Sequence, residues 1–228
     1  MDGNGRWAQQ RHLARTVGHA KGAAGVRALV EHSAKVGIKC LTLFAFSTEN
    51  WKRPEQEVST LMRLFVHYLE GEVKELTVAG VRLKVVGDVA GFTPELQQRI
   101  KAAEEATANN RLITLCVAAN YGGRWDVLQA VKGWQLANPG LDISELTEAG
   151  FALNLSTADL PEVDLLVRTG GEQRLSNFYL WQAAYAELYF TDVFWPEFGK
   201  DDLTKALDWY AKRNRRFGMT TKQVEVLK

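Results

Sequence analysis

Cysteine is scarce in this chain. Only Cys40 and Cys116 occur, each inside an apolar β-rich run, where a buried free thiol is commoner than a bridge, although pairing stays open. That scarcity argues against a disulfide-stapled secreted domain and for a reducing, cytoplasmic setting. An excess of one charge is missing as well: 28 Lys and Arg stand against 27 Asp and Glu. No global field therefore draws the protein to nucleic acid or to an anionic membrane, and anion binding has to come from local clusters. No apolar run approaches a membrane span and no stretch reads as a signal peptide, so a lipid substrate would be handled by a soluble protein. A Walker A lysine motif, a G-x-G-x-x-G after a strand, H-E-x-x-H and paired Cys-x-x-Cys are all lacking. Nucleoside triphosphatase, Rossmann dehydrogenase and zinc hydrolase readings lose support accordingly.

What is present is an alternation of helices and strands over 228 residues, enough for one α/β domain with a substantial core. Helical spacing predicts helices over 22–35, 55–79, 94–109, 178–186 and 201–216, one that follows the 120–126 loop and runs to about 137, and a helix or two between 143 and 155. The 55–79 helix carries one long stripe, Val58, Leu61, Met62, Phe65, Leu69, Val73 and Leu76, which by default is core. β-branched and aromatic runs predict strands over 39–46, 81–86, 111–119, 163–167 and 187–195. Such alternation means right-handed crossovers and a mostly parallel central sheet flanked by helices. Ligands of such sheets bind beyond the strands' carboxyl ends. The unusual loops beginning at Ser47, Gly87, Asn120 and Arg168 all follow strands, so they are expected to gather there.

Three of the polar stretches can carry chemistry. Asp2-Gly3-Asn4-Gly5-Arg6-Trp7 reads equally as a surface turn or as the floor of an anion site; a carboxylate there would repel phosphate unless a divalent metal lay between them. Arg168, Arg174 and Ser176 lie in a glycine-rich loop expected to open a helix, which suits a phosphate or diphosphate better than surface ion pairing. Glu187 beyond them could ligate a metal or balance charge. Ser47 to Arg53 offers a hydroxyl, an amide, an indole and a guanidinium, though Trp51 as an apolar anchor and Arg53 as a helix-start charge is the plainer account. Arg15 and His19, four apart, share one face if their segment is helical. The glycines of Asn120 to Trp125 could serve geometry alone.

Taken together, Asp2-Gly3-Asn4-Gly5-Arg6-Trp7-Ala8, Phe46 through Pro54, Asn120-Tyr121-Gly122-Gly123-Arg124, and Asp164 through Glu172 with Ser176-Asn177-Phe178 closely resemble the cis-prenyltransferase family. The resemblance runs over essentially the whole chain in the right order. It implies one domain over 1–228 with a hydrophobic cleft for a growing prenyl chain. It also implies an enzyme that adds isopentenyl diphosphate repeatedly to an allylic diphosphate such as farnesyl diphosphate, with Mg2+. The expected product is a long cis-polyprenyl diphosphate of undecaprenyl length, serving as a cell-wall lipid carrier, with other lengths open. By matching positions, Asp2 would carry the metal and act with Asn50 in catalysis. Gly3, Asn4, Gly5, Arg6, Trp7, Arg15 and His19 would hold the starter. Ser47, Thr48, Glu49, Trp51 and Arg53 would shape the reacting centre, while Arg168, Arg174, Leu175 and Ser176 would hold isopentenyl diphosphate. Glu187 would be a second metal-side carboxylate.

The 55–79 helix would then also line the cleft, with Ile113 and Leu115 at its floor. Arg216-Phe217-Gly218 resembles the family's tail and implies a homodimer in which each subunit's end completes its partner's site. Transient contact with a membrane surface for product release is compatible with the same resemblance. Two departures stand out: Gln173 replaces a histidine of some relatives, so no metal role transfers there, and the strand that leads into the aspartate is expected to be missing. The D-D-x-x-D motif of the all-helical trans-prenyl synthases is absent too. A non-catalytic partner subunit of the same fold and a general phosphate-binding α/β module are the rival readings. The first is expected to lack the aspartate and arginines present here, and the second leaves the ordered motifs unexplained.

Overall fold

A computed structural model describes residues 1–213 of the chain. Its first element is helix α1 (Asn4–Gln9), followed by α2 (Arg15–Ala24) and α3 (Val26–Lys35). The opening glycine stretch is thus a helix start: Gly3, at φ 101°, is the residue before it, and a Cβ there would lie 2.5 Å from the Phe194 ring. The single helix expected over 22–35 is two helices meeting at Gly25, a residue that contributes little to helix continuity. Glycines on α2 let its neighbours close in. A Cβ on Gly18 would meet the Asn4 carbonyl at 2.0 Å, and one on Gly22 would meet the Trp195 ring at 2.5 Å.

Strand β1 (Cys40–Ser47), helix α4 (Glu55–Val78), β2 (Val81–Val86), α5 (Pro94–Thr107), β3 (Ile113–Tyr121) and α6 (Gly123–Ala137) come next, close to their expected bounds except that α6 already begins inside the loop expected over 120–126. Thr93 caps α5 by accepting from the Leu96 amide, with Pro94 at the first helical position. After α7 (Glu148–Ala152) come β4 (Leu165–Arg168), β5 (Glu187–Phe190) and α8 (Lys200–Ala211). All pairings are parallel, but in two sheets: β1-β3-β2, and β4-β5. The last strand is shorter than its β-prone sequence suggests, and residues 191–195 turn away from it. The helix expected over 178–186 is a run of turns. Ser176, Asn177 and Tyr179 have φ of 50°, 63° and 42°, and left-handed residues cannot seed a right-handed helix.

The main core lies between the β1-β3-β2 sheet and helices α3, α4 and α5, joining Leu29, Val30, Leu43, Leu83, Ile100, Ile113 and Leu115 with Trp195. At about 1.5–3 kcal/mol for each fully buried large aliphatic or aromatic side chain, this cluster is the main source of the domain's stability. A second core under β3 is aromatic: Tyr121 packs edge-on to Tyr179 at 5.4 Å, and Tyr179 stacks on Phe178 at 4.3 Å. Asp126 is buried beside them, accepting from the Tyr121 hydroxyl at 2.8 Å, Gln182 Nε2 at 2.8 Å and the Ser156 amide at 2.9 Å. No helix among the described residues is long and apolar enough to cross a membrane.

Candidate active site

Asp2 lies at the carboxyl edge of the sheets, beside the end of β4. Its amide donates to Thr169 Oγ1 at 2.9 Å, while its carbonyl accepts from that same hydroxyl at 2.8 Å and from the Trp195 amide at 3.0 Å. The carboxylate takes the Gly3 amide at 2.7 Å, Arg168 Nη2 at 2.9 Å and Arg6 Nη2 at 3.4 Å. Burial pushes its pKa up, but the Arg168 and Gly3 hydrogen bonds and the charges of Arg168 and Arg6 outweigh that and hold it below the usual carboxylate value. Gly170 makes the approach possible: at φ 86°, it brings its backbone to the edge of Arg6 and Asp2, where a Cβ would sit 2.9 Å from Arg6 Nη2.

Arg168, at the end of β4, also donates to Ser176 Oγ at 2.8 Å and to the Arg174 carbonyl. Arg174 pairs with Glu172, which also meets Arg6 at 3.4 Å. The loop is pinned on its far side, because the Gly170 and Gly171 amides donate to the Val193 and Thr191 carbonyls at 2.9 Å each.

A second basic group faces this one from α2 and the start of α4. Glu57 accepts from Arg15 at 3.3 Å, His19 at 3.3 Å and Arg53 at 3.0 Å. Its side chain is only 11% exposed. His19 is held below its ordinary pKa chiefly by burial, with the charges of Arg53 and Arg15 adding to this and Glu57 opposing it. Gly5 leaves room for the Arg15 guanidinium, which would lie 2.6 Å from a Cβ there. Between the two groups, Asn50 Oδ1 accepts from the Ser47 amide at 3.0 Å, closing a capped turn after β1.

Both groups open on one cavity of about 2150 Å³, well beyond the roughly 300–1,000 Å³ of an ordinary small-molecule site. Asp2, Arg15, His19, Asn50, Arg168 and Ser176 are at its polar end. Leu61, Met62, Phe65, Leu69 and Leu76 of α4, with Leu43, Leu83, Leu115 and Val117 from the sheet, make its apolar walls. The stripe of α4 therefore serves both uses at once: Met62, Phe65, Leu69, Val73 and Leu76 pack against the core and also line the cavity.

The structure gathers Asp2, Gly3, Asn4, Gly5, Arg15, His19, Ser47, Glu49, Asn50, Arg53, Arg168, Arg174, Leu175 and Ser176 on the cavity wall. Arg6 stands just behind them, paired with Asp2. Trp7 is instead buried beneath Arg11, whose guanidinium lies 4.5 Å over its ring, and Thr48 and Trp51 are off the wall. Trp51 packs edge-on against Phe46 at 5.0 Å and donates to Asn120 at 2.7 Å. Ile113 is a core residue, and Leu115, two positions along the same strand face, is the one on the wall.

Glu187 is not brought to Asp2 within this chain. The β4-β5 register sets Leu165 beside Glu187 and Arg168 beside Phe190, so Glu187 lies three residues, about 10 Å, from the site's end of the pair. Its carboxylate accepts from Arg213 at 3.2 Å. No group of three His, Cys, Asp or Glu able to hold a metal occurs among the described residues. Arg216-Phe217-Gly218 lies outside them. The loop at Gly87 does not reach the cavity either; it braces Asn120, whose Nδ2 donates to the Asp88 carbonyl at 2.9 Å. Thr169, Glu172, Glu57 and Asn177 join the site only through the fold. A long-range carboxylate partner such as Glu57 carries no sequence signal, whereas Thr169 directly follows Arg168.

A polar mouth of arginines paired with Asp2, Glu172 and Glu57, opening on a cavity this large with apolar walls from α4 and the sheet, defines an α/β protein that handles a diphosphate with a long apolar tail. The chain belongs to the prenyltransferase family whose model, described as "Putative undecaprenyl diphosphate synthase", matches residues 1–218. It is a transferase of the cis-prenyltransferase class. It is 51% identical over 229 residues to the farnesyl-diphosphate-specific ditrans,polycis-undecaprenyl-diphosphate synthase of Vibrio cholerae, covering 100% of this chain and 92% of that one. An isoprenyl transferase of Ralstonia nicotianae is 50% identical over 225 residues, covering 99% and 87%. Among solved structures, lavandulyl diphosphate synthase from Lavandula x intermedia, crystallised with dimethylallyl diphosphate, superposes with a TM-score of 0.90 at 35% identity, over 96% of this chain and 95% of that one. A "probable undecaprenyl diphosphate synthase" from Campylobacter jejuni gives 0.78 at 34% identity, over 87% and 92%.

Proposed function

We propose that this chain, as one domain, adds isopentenyl diphosphate units to an allylic diphosphate, farnesyl diphosphate by preference, and releases undecaprenyl diphosphate. The observation that carries this is the single cavity that holds two separate basic groups and is walled beyond them by the apolar side chains of α4 and of the β1-β3-β2 sheet. One basic group, Arg15 with His19 and the α1 amides, suits the starter's diphosphate. The other, Arg168, Arg174 and Ser176, suits that of isopentenyl diphosphate. The apolar walls then receive the lengthening tail and exclude water from the allylic cation.

The residues present fit a magnesium ion shared with the substrate. Magnesium keeps several waters and commonly uses one or two carboxylates plus substrate phosphates, so Asp2 suffices on the protein side once its arginine partners turn to the diphosphate. When bound, the ion neutralises charge on the leaving diphosphate. Arg6 and Arg15 add fixed positive charge to the departing group, and Asn50 and Ser47 hold the turn between the two diphosphate halves. A homodimer in the cytoplasm, meeting the membrane surface only to release product, completes the proposal.

The test is to incubate the protein with farnesyl diphosphate, labelled isopentenyl diphosphate and magnesium and to size the products. Labelled lipid of undecaprenyl length that vanishes with Asp2→Ala supports the proposal. Absence of elongation by the folded protein refutes it, and light scattering that returns a monomer refutes the dimer.

A further inference from the structure

Asn177 lies where three loops of different origin meet, and its side chain and backbone hold all of them. Its Nδ2 donates to Glu49 Oε1 at 2.7 Å, in the turn after β1. Its Oδ1 accepts from the Arg124 amide at 2.9 Å, and its carbonyl accepts from the Gly123 amide at 2.7 Å, both in the turn after β3. Its neighbour in the chain is Ser176, bonded to Arg168. Gly122 is wedged in the same knot, since a Cβ on it would lie 2.7 Å from Thr48 Oγ1 and 2.8 Å from Asn177 Nδ2. Ser176 and Asn177 are both left-handed, a conformation non-glycine residues keep only where surroundings impose it, and asparagine bears it best. Glu49 adjoins Asn50, which caps the turn on Ser47.

We propose that Asn177 is a positioning residue, which with Glu49 as its counterpart sets the distance between the Arg168–Ser176 half of the site and the Ser47–Arg53 half. Glu49 is then a strut, its carboxylate committed to Asn177, and the turn glycines exist to let the strut close. A condensation between two bound molecules needs their reacting carbons within about 3–3.5 Å, and a misplacement of about 1 Å costs on the order of 100-fold in rate. Each diphosphate keeps its ligands without the strut, the starter's on Arg15, His19 and α1 and that of isopentenyl diphosphate on Arg168, Arg174 and Ser176. Its loss should therefore appear in turnover and leave each substrate's binding alone. The inference rests on the proposed condensation.

The experiment sets Asn177→Asp, Glu49→Gln, Glu49→Ala and the double variant N177D/E49Q beside the wild type. N177D keeps the acceptor for Arg124 but places a carboxylate against Glu49. It should lower kcat by on the order of 10- to 100-fold, with the KM for each substrate, and the binding of each measured separately by calorimetry, within about threefold of wild type. E49A should do the same with the Asn177 loop itself untouched, and E49Q, which keeps a carbonyl acceptor, should lose less. In N177D/E49Q the donor and acceptor are exchanged and at least half of the lost kcat should return. Undiminished kcat in N177D and E49A overturns the inference, as does a loss explained by weaker binding of one substrate or no recovery in the double variant. A wild-type protein that elongates nothing overturns the proposed function and takes the inference with it; an active wild type with indifferent variants overturns the inference alone.

Discussion

Removing the buried carboxylate of Asp126 should be among the most damaging single changes outside the cavity. In Asp126→Ala the hydroxyl of Tyr121, itself fully buried, and the Ser156 amide lose their acceptor, while Gln182 retains Thr157 Oγ1 at 3.0 Å. An orphaned buried donor costs about 1–3 kcal/mol, so two of them centre on about 4 kcal/mol. For a chain of this length, about 2–4 °C of melting temperature accompanies each kcal/mol, giving a fall of about 8–16 °C. Thermal unfolding followed by circular dichroism measures it directly. Tyr121→Phe removes one of the donors that Asp126→Ala would orphan, so the double variant should lose about 1 kcal/mol or more less than the two single losses added together. A D126A midpoint within 2 °C of wild type, or strict additivity in the cycle, would refute the claim that this carboxylate ties the β3 turn to the 156–182 segment.

Arg168→Met should raise the KM for isopentenyl diphosphate by on the order of 10- to 150-fold, the worth of a charge-assisted contact of about 1.5–3 kcal/mol; an unchanged KM counts against its role. Asp2 should titrate below an unpaired aspartate, because the Arg168 and Gly3 hydrogen bonds and the Arg168 and Arg6 charges outweigh its burial. A depressed pKa contributes stability that is full above the unfolded value and drains away as pH falls through the folded one. The stability gap between wild type and Asp2→Asn should therefore close only in acid, and an NMR titration midpoint above that of an unpaired aspartate would contradict this. Leu115→Ala opens the cavity floor and should lengthen the product ladder by at least one unit; Ile113→Ala, one layer behind, should do so less. Identical ladders on thin-layer analysis from both variants would remove these residues from length control.

Reading the chain alone works best where periodicity or turn chemistry is strong. The 24-residue α4 and the Thr93-Pro94 start of α5 fall within a residue or two of their expected bounds, because one apolar stripe and one cap dominate each. The 178–186 segment misleads because its apolar spacing is helical, while its conformation is dictated by the left-handed residues ahead of it. The same limit applies at the site. Arg168, Arg174 and Ser176 announce themselves by composition, yet Glu57 joins α4 to Arg15 and His19 from 42 and 38 residues away. Trp7 looked like part of the anion loop because it adjoins Arg6, but once Asn4 starts a helix the indole points into the core. Local pattern reports local conformation, and only tertiary packing decides which neighbour faces the cavity.

The pairing of the mouth's arginines, with His19 beside them, bears on which molecules can enter. Arg168 and Arg6 hold Asp2, Arg6 and Arg174 hold Glu172, and Arg15, His19 and Arg53 hold Glu57. An arriving anion must therefore compete with carboxylates already tethered at high effective concentration. A singly charged intruder merely exchanges one partner for an equivalent one and gains almost nothing. A diphosphate engages several cations at once and, with a divalent ion, gives the displaced Asp2 a new positive partner. The mouth is thus self-quenched at rest, which would filter out common phosphates and carboxylates while admitting the multivalent head group that the apolar interior is shaped to follow.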